Sequence, residues 1–161
     1  MSWRRDEGGA ALLMAIVIAP VLLVALAGVL QLGALRVVAA RLQASADLAA
    51  LVAVNDQDDD ELARSGVLQL TAAAETVARD YLGRELALSA ALLGDDPLRI
   101  AADADVAAFT RAPAFDARTG TRYERPAVRI AAAIPVRTPV FGALFLAPVT
   151  NVPVVAVSTA R

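Results

Sequence analysis

Residues 8–35 read GGAALLMAIVIAPVLLVALAGVLQLGAL, a run of 28 residues without a charged side chain. As an α-helix this run is about 42 Å long, because each residue rises roughly 1.5 Å along the axis. The hydrocarbon core of a bilayer is about 30 Å thick and needs about 20 apolar residues to cross it. Pro20 is the one helix breaker in the run, and membrane helices tolerate proline. The run therefore predicts a transmembrane helix.

Two other interpretations of the run are weaker. A helix that is apolar on all sides can be buried in a large soluble protein, but this chain has only 161 residues. A cleaved secretory signal has an apolar core of about 7–15 residues followed by small residues at the cleavage site. The present run is too long for that, so we expect a signal anchor that stays in the membrane.

The charges that flank the run give a nearly balanced orientation signal. Arg4 and Arg5 precede it, and Arg36 and Arg41 follow it, so the positive-inside rule favours neither side strongly. A tail of nine residues is more easily left in the cytoplasm than the larger C-terminal part. We therefore expect a cytoplasmic N-terminus and an extracytoplasmic C-terminal domain.

The composition excludes most kinds of enzyme site. Hydrophobic residues make up 58% of the chain, and it contains neither His nor Cys, so His-based triads, Cys nucleophiles, disulfides and Cys/His zinc sites are excluded. All 15 basic residues are Arg, which removes a Walker-A or Schiff-base lysine. The net charge of -2 argues against a nucleic-acid binder. We predict no catalytic residue, no cofactor and no metal site.

The acidic stretch 56–60 resembles a calcium loop only superficially. An EF-hand loop needs Gly at its sixth position and Glu at its twelfth, where this chain has Glu61 and Val67. Acidic residues are also typical of a helix N-terminus, where they cap the free amides. We therefore interpret the stretch as the start of a helix.

The helical pattern continues beyond the apolar run. Apolar and small residues recur at alternating spacings of 3 and 4, which predicts one stripe on a continuing helix. The stripe consists of Leu35, Val38, Leu42, Ser45, Ala49 and Val52. Two covers fit such an Ala-rich stripe equally well, namely the chain's own domain and the helix of a partner.

The remainder of the chain predicts an α+β domain. A second helix is expected from about Asp60 to Leu93, where Gly83 is expected to bend or split it. Alternating apolar residues then predict strands over 98–106, 128–136 and 152–159, with an exposed loop over 111–126. If the first two strands pair, Arg129 lies near Asp103 or Asp105. Pro153 suggests that the last strand lies at an edge of the sheet.

An apolar segment bounded by prolines interrupts the strands at residues 138–148. It is too short to cross a bilayer. Its large side chains either fill the small core or form an exposed patch for a partner or the membrane. These candidate contact residues are Phe141, Leu144, Phe145 and Leu146.

Two regions of the chain carry a resemblance to a known family. The first joins residues 4–10, RRDEGGA, and the apolar run with Pro20 to residues 41–51, RLQASADLAAL. The second joins residues 127–130, AVRI, to residues 135–145, PVRTPVFGALF. The first region resembles the leader, span and "LQ-x-A-A-D-A-A-A-L" helix of the TadE/TadG-like family of the tight-adherence (Tad, Flp) pilus machinery, and the second is similar to that family's C-terminal strand, "PTPF" turn and closing strand.

The resemblance implies a pilin-like architecture and a role without catalysis. A long N-terminal transmembrane helix would continue into an extracytoplasmic helical segment, followed by a small antiparallel β-sheet packed on helix. The expected organisation is a leader-like tail (1–9), a transmembrane helix (10–35), a juxtamembrane helix (36–55) and an extracytoplasmic α+β domain (56–161). The alternative function is a single-pass membrane protein with a periplasmic binding module unrelated to pili.

The resemblance also implies partners and a processing site. Expected partners are membrane lipid, other pilus or pseudopilin subunits, the assembly platform and a prepilin peptidase. The candidate cleavage site lies at Gly8, Gly9 and Ala10. If Gly9 ends the leader, Met14 stands where prepilins carry Glu. TadE-like pseudopilins keep that Glu, so the sequence resembles TadG-like proteins more closely.

Overall fold

The structure, a computed structural model, describes residues 6–138, 142 and 148–161, with side chains described from residue 14 onward. One helix, α1 (Asp6–Val54), contains both the apolar run and the stripe that follows it. In the part of the chain that the structure describes, α1 is followed by the shorter helices α2 (Asp59–Ser65), α3 (Ala74–Ala87) and α4 (Pro97–Asp103), with a 3₁₀ turn at Ala90–Leu92. The predicted continuation of the apolar helix is confirmed.

Five strands complete the described fold. β1 (Asp105–Phe109), β4 (Ala127–Arg137) and β5 (Val149–Thr159) form an antiparallel sheet in the order β1-β4-β5. β2 (Ala114–Asp116) and β3 (Thr121–Tyr123) form a separate hairpin. One face of the sheet packs on α1 and α3. The α+β class, with a small antiparallel sheet on a long N-terminal helix, is therefore confirmed.

The domain core forms where the second half of α1 meets α3 and the sheet. The second half of the Ala-rich stripe predicted on α1 is buried there by the chain's own domain. Of the two alternatives, the chain's own domain and the helix of a partner, the first is therefore correct for this half. Ala lets the helices approach closely, and larger side chains from α3 and the strands fill the remaining space. The most deeply buried members are Leu42, Ala49, Ala50, Ala53, Leu70, Leu82, Leu86, Val128, Ile130 and Ile134.

The prediction of one helix from residue 60 to 93 is wrong. Asp58 caps α2 by accepting a hydrogen bond from the Glu61 amide at 2.9 Å, as the acidic stretch predicted. Gly66 ends α2 with φ 70°, a left-handed conformation that costs glycine little. The chain then runs extended, and the Leu70 amide donates to the carbonyl of Thr110 at 3.0 Å. The helix restarts at Ala74 as α3.

The strand predicted over 98–106 is also wrong for most of its length. Asp96 accepts hydrogen bonds from the Leu98 and Arg99 amides at 3.1 Å, and Pro97 occupies the first helical position. This combination starts a helix and outweighs a short alternating pattern. α4 therefore runs to Asp103, and the strand is confined to β1.

Gly83 does not break α3, contrary to expectation. It is buried, and a Cβ at this position would lie 3.0 Å from Leu98 Cδ2 and 3.5 Å from Ala101 Cβ. Its role is to let α4 pack closely against α3. The strand expected at 128–136 is confirmed as β4, and the last strand is confirmed as β5, with Pro153 in an edge strand. The loop expected over 111–126 contains the β2–β3 hairpin.

Candidate functional site

The first half of α1 exposes nearly all of its apolar side chains. From Met14 to Val37 the large hydrophobic residues other than Leu35 are between 49% and 71% exposed. The helical stretch Met14–Val54 has a mean hydropathy of 2.6 in its most apolar window, of which only 6% is buried. It is the one helix in the described part of the chain that is long and apolar enough to cross a membrane. Exposure of this kind in water would cost roughly 25 cal/mol for each Å² of apolar surface.

A single covered stripe extends from the domain core into the apolar run. Val38 and Leu35 pack partly against the core, and Ala27 and Gly28 are half-buried. Between them, Gln31 is 0% exposed although its neighbours Leu30 and Leu32 are about 60% exposed. The apolar run is therefore exposed on most of its circumference but covered on one line. Gln31 is not part of the stripe predicted from the sequence, although its spacing of four to Leu35 continues that stripe.

Gln43 connects α1 to the open edge of β5. Its Nε2 donates to the Val155 carbonyl at 2.8 Å and to Asp47 Oδ1 at 2.9 Å, and its Oε1 accepts from the Val155 amide at 3.4 Å. The side-chain amide thus occupies the place that a neighbouring strand would take on β5. An open strand edge pairs readily with other chains, so this contact also protects the edge.

Replacing Gln43 by Met is expected to lower the free energy of unfolding by roughly 1–3 kcal/mol, because the two hydrogen bonds to the Val155 backbone, of about 0.5–1.5 kcal/mol each, are lost while the side-chain volume is kept. Asp47→Asn is the matched control, since it retains an oxygen acceptor for Gln43. Chemical denaturation in detergent, followed by circular dichroism, measures both. An unchanged midpoint for Gln43→Met would show that the contact contributes nothing to stability.

A buried ion-pair cluster lies on the face of the sheet away from α1. Arg129 on β4 is 5% exposed at its side chain and lies 2.7 Å from Asp105 Oδ2 through its Nη1. Its Nε lies 2.9 Å from Oδ2 of Asp116, whose side chain is also 5% exposed. The predicted proximity of Arg129 and Asp105 is confirmed, whereas Asp103 belongs to α4. The cluster fastens the β2–β3 hairpin onto the sheet, and a ring contact between Tyr123 and Phe109 at 4.9 Å supports it.

The cluster holds both carboxylates in their charged form. The hydrogen bond from Arg129 lowers the pKa of Asp105 and outweighs the opposing effect of burial. Burial acts to raise the pKa of Asp116, but hydrogen bonds from the Arg118 amide and the Thr119 hydroxyl, with the charge of Arg129, lower it overall. The hydrogen bond to Asp105, together with the charges of Asp105 and Asp116, raises the pKa of Arg129. The cluster is therefore fully ionised at neutral pH and is built for stability rather than proton transfer.

The free energy of unfolding of the domain is expected to fall when the pH is lowered below 3.8. Both carboxylates have a folded-state pKa below their ordinary value of 3.8, so their stabilisation is complete above that value. It is lost as the pH falls below 3.8 through the folded-state values. Denaturation midpoints measured across this range should fall less steeply for Asp105→Asn than for the parent. Glu124→Gln, which removes an exposed ion pair with Arg122, should leave the slope unchanged.

The structure separates the sequence-predicted site residues into two groups. Gly8, Gly9 and Ala10 lie in the first two turns of α1. Phe141, Leu144, Phe145 and Leu146 lie outside the described residues. Among the described side chains, in 14–138 and 148–161, no group of three acidic residues is placed to hold a metal ion. Asp58, in the stretch that resembles a calcium loop, caps α2 instead.

Three comparisons with known proteins bear on the identity of the chain. Residues 8–56 match the family model described as "Putative Flp pilus-assembly TadE/G-like". No curated protein and no solved structure matches the chain. The matched segment coincides almost entirely with α1, and it includes both the exposed apolar half and the Gln43 contact. In this N-terminal segment the chain is similar to the TadE/TadG-like family of Flp pilus-assembly proteins.

Proposed function

We propose that the chain is a non-enzymatic, membrane-anchored component of Flp pilus assembly, acting as a minor pseudopilin or assembly factor. The observation that carries the proposal is the coincidence of the family match with a helix whose apolar surface is exposed. That surface must be buried by lipid or by other apolar helices, because water would make it unfavourable. The chain's function is then to pack this helix among its neighbours while the domain contacts partners.

The proposed location follows from the same helix. α1 crosses the inner membrane once, with residues 1–9 in the cytoplasm and the α+β domain outside it. The membrane segment is residues 10–35, the juxtamembrane segment is 36–55, and the extracytoplasmic domain is 56–161. α1 passes through the boundary between residues 35 and 36 without a break, and residues 42–54 contribute to the domain core. A movement of the membrane segment would therefore be transmitted to the domain directly.

Two further parts of the proposal come from the sequence. Prepilin peptidase would act at Gly8, Gly9 and Ala10, and the apolar residues Phe141, Leu144, Phe145 and Leu146 would contact a partner subunit or the membrane. Mass spectrometry of the mature N-terminus tests the first part. Ala10 at the start indicates processing as a pilin, whereas Met1 or Ser2 indicates a permanent anchor.

Deletion and crosslinking test the function itself. Cells that lack the gene are expected to lose pili and surface adherence, and the full chain restores both. Crosslinking in membranes followed by detergent extraction should recover pilin subunits, the assembly platform or its ATPase. Normal piliation after deletion, together with no pilus protein among the crosslinked partners, would favour the periplasmic binding module unrelated to pili.

A further inference from the structure

The direction of the chain shows which end of the domain lies nearer the uncharged run. α1 leaves this run at Leu35 and ends at Val54, so the Val54 end is remote from the run. The Thr71 amide donates to the Asp56 carbonyl at 2.9 Å, which places the start of α3 at this remote end. In the sheet, Leu70 donates to Thr110, just after β1 ends. The remote ends of the three paired strands are therefore Phe109, Ala127 and Thr159.

The opposite end of the domain lies where α1 emerges from the uncharged run. α3 has 14 residues and is roughly 21 Å long, so it reaches back along α1 to about residue 40. The segment after it pairs with the near end of the sheet, since Leu93 forms a bridge with Val136 and the Gly94 amide donates to the Pro135 carbonyl at 2.8 Å. Arg137 and Val149 are paired at the same end.

The described surface at this end is apolar. Residues 86–94 contain no charged side chain. Leu88 is 71% exposed, Leu92 is 36% exposed, and Val149, across from Gly94, is 43% exposed. We call Leu88, Leu92 and Val149 the domain base. Scattered single apolar residues on a surface need no explanation, but these three share one end of the domain with the exposed apolar helix.

We propose that the domain base contacts the lipid bilayer at its interface, next to the point where α1 leaves the hydrocarbon. The inference rests on the proposed membrane insertion of α1. The base lies at the end of the domain from which the apolar half of α1 extends, and Val29, Leu30 and Leu32 are exposed there. Arg36 and Arg41, both exposed, are the first charges after the run and lie at the level of anionic headgroups. The domain is then held at one height and tilt against the membrane, and does not project freely from it.

Fluorescent labels at single cysteines test the contact, because the native chain has no cysteine that would react. The full chain is reconstituted into vesicles of phosphatidylethanolamine and phosphatidylglycerol that contain a lipid-attached nitroxide quencher. An environment-sensitive label is placed at Leu92→Cys, with Leu88→Cys as an independent second position. Val24→Cys reports on the proposed span. Phe115→Cys, 64% exposed on the β2–β3 hairpin, is the matched control away from the base.

The quencher is expected to reduce the emission of the labels at Val24, Leu92 and Leu88, and to leave the label at Phe115 unchanged. Quenching at Val24 without quenching at Leu92 and Leu88 would overturn the domain-base contact and leave the proposed anchor intact. No quenching at Val24 would instead overturn the membrane insertion on which the proposed function depends. Equal quenching at Phe115 would also contradict the inference, since the whole domain would then lie on the lipid.

Discussion

Arginine at both Leu22 and Leu26 is expected to abolish stable membrane insertion of the full chain. Both side chains are exposed on α1 near the middle of the uncharged run. A charged side chain at the centre of a membrane helix costs roughly 2.5–3.5 kcal/mol on the insertion scale, so two in adjacent turns remove most of the favourable transfer energy. Carbonate extraction of cell membranes should move the variant from the membrane pellet to the soluble or degraded fraction.

Two controls separate this effect from a general loss of folding. The variant with Ala at Leu22 and Leu26 keeps the segment apolar and should remain in the pellet. Leu62→Arg places a charge on an exposed residue of α2, outside the run, and should also remain there. Retention of the double arginine variant in carbonate-washed membranes would contradict α1 as the anchor. The same conclusion would follow if the full native chain were soluble and monomeric without detergent.

Replacing Arg129 by Met is expected to cause the largest loss of stability within the domain, about 3–5 kcal/mol. The substitution leaves the buried carboxylate of Asp116 without its cation, and removal of one member of a buried pair has a cost of this size. It also releases the β2–β3 hairpin from β4. Chemical denaturation in detergent, followed by far-ultraviolet circular dichroism, measures the change in the free energy of unfolding.

An exposed arginine provides the comparison for this prediction. Arg122 lies 2.8 Å from Glu124, but both side chains are more than half exposed. Exposed pairs contribute about 0–1 kcal/mol, so Arg122→Met should change the denaturation midpoint little. Combining Arg129→Met with Asp116→Asn should recover part of the loss, since the uncompensated charge is removed. If Arg129→Met behaved like Arg122→Met, the cluster would not fasten the hairpin.

Local patterns account for the elements that were predicted correctly. The uncharged run and the stripe from Leu35 to Val52 identified α1, because helical spacing and apolar content are properties of neighbouring residues. Alternation over 128–136 identified β4 in the same way. The errors also had local causes. Gly66 ends α2 because glycine adopts the left-handed backbone conformation easily, and the Asp96–Pro97 pair begins α4. Each of these short signals lies inside a longer periodic pattern, and the prediction followed the longer pattern.

Contacts between distant residues account for the parts of the candidate site that were missed. Gln43 and Val155 are separated by 112 residues, and nothing in the helix around Gln43 indicates that it meets a strand edge. Arg129 was expected opposite the apolar face of β4, and it is there. Its burial depends on the hairpin that carries Asp116, which the sequence presented only as an exposed loop. The domain base likewise becomes visible only when α3 is folded back along α1.

The amino-acid sequence by itself determined that the chain has a helix long enough to cross a membrane and that this helix continues into an apolar stripe. It also excluded sites that need His, Cys or Lys side chains. These follow from composition and from spacing along one helix, which do not depend on the rest of the fold. Only the tertiary structure decided that the second half of the stripe is covered by α3 and the sheet of the same chain, that Arg129 is buried between two carboxylates and that apolar residues gather at one end of the domain. These depend on pairing between segments far apart in the chain, where burial and charge are set by the partner and not by neighbouring residues.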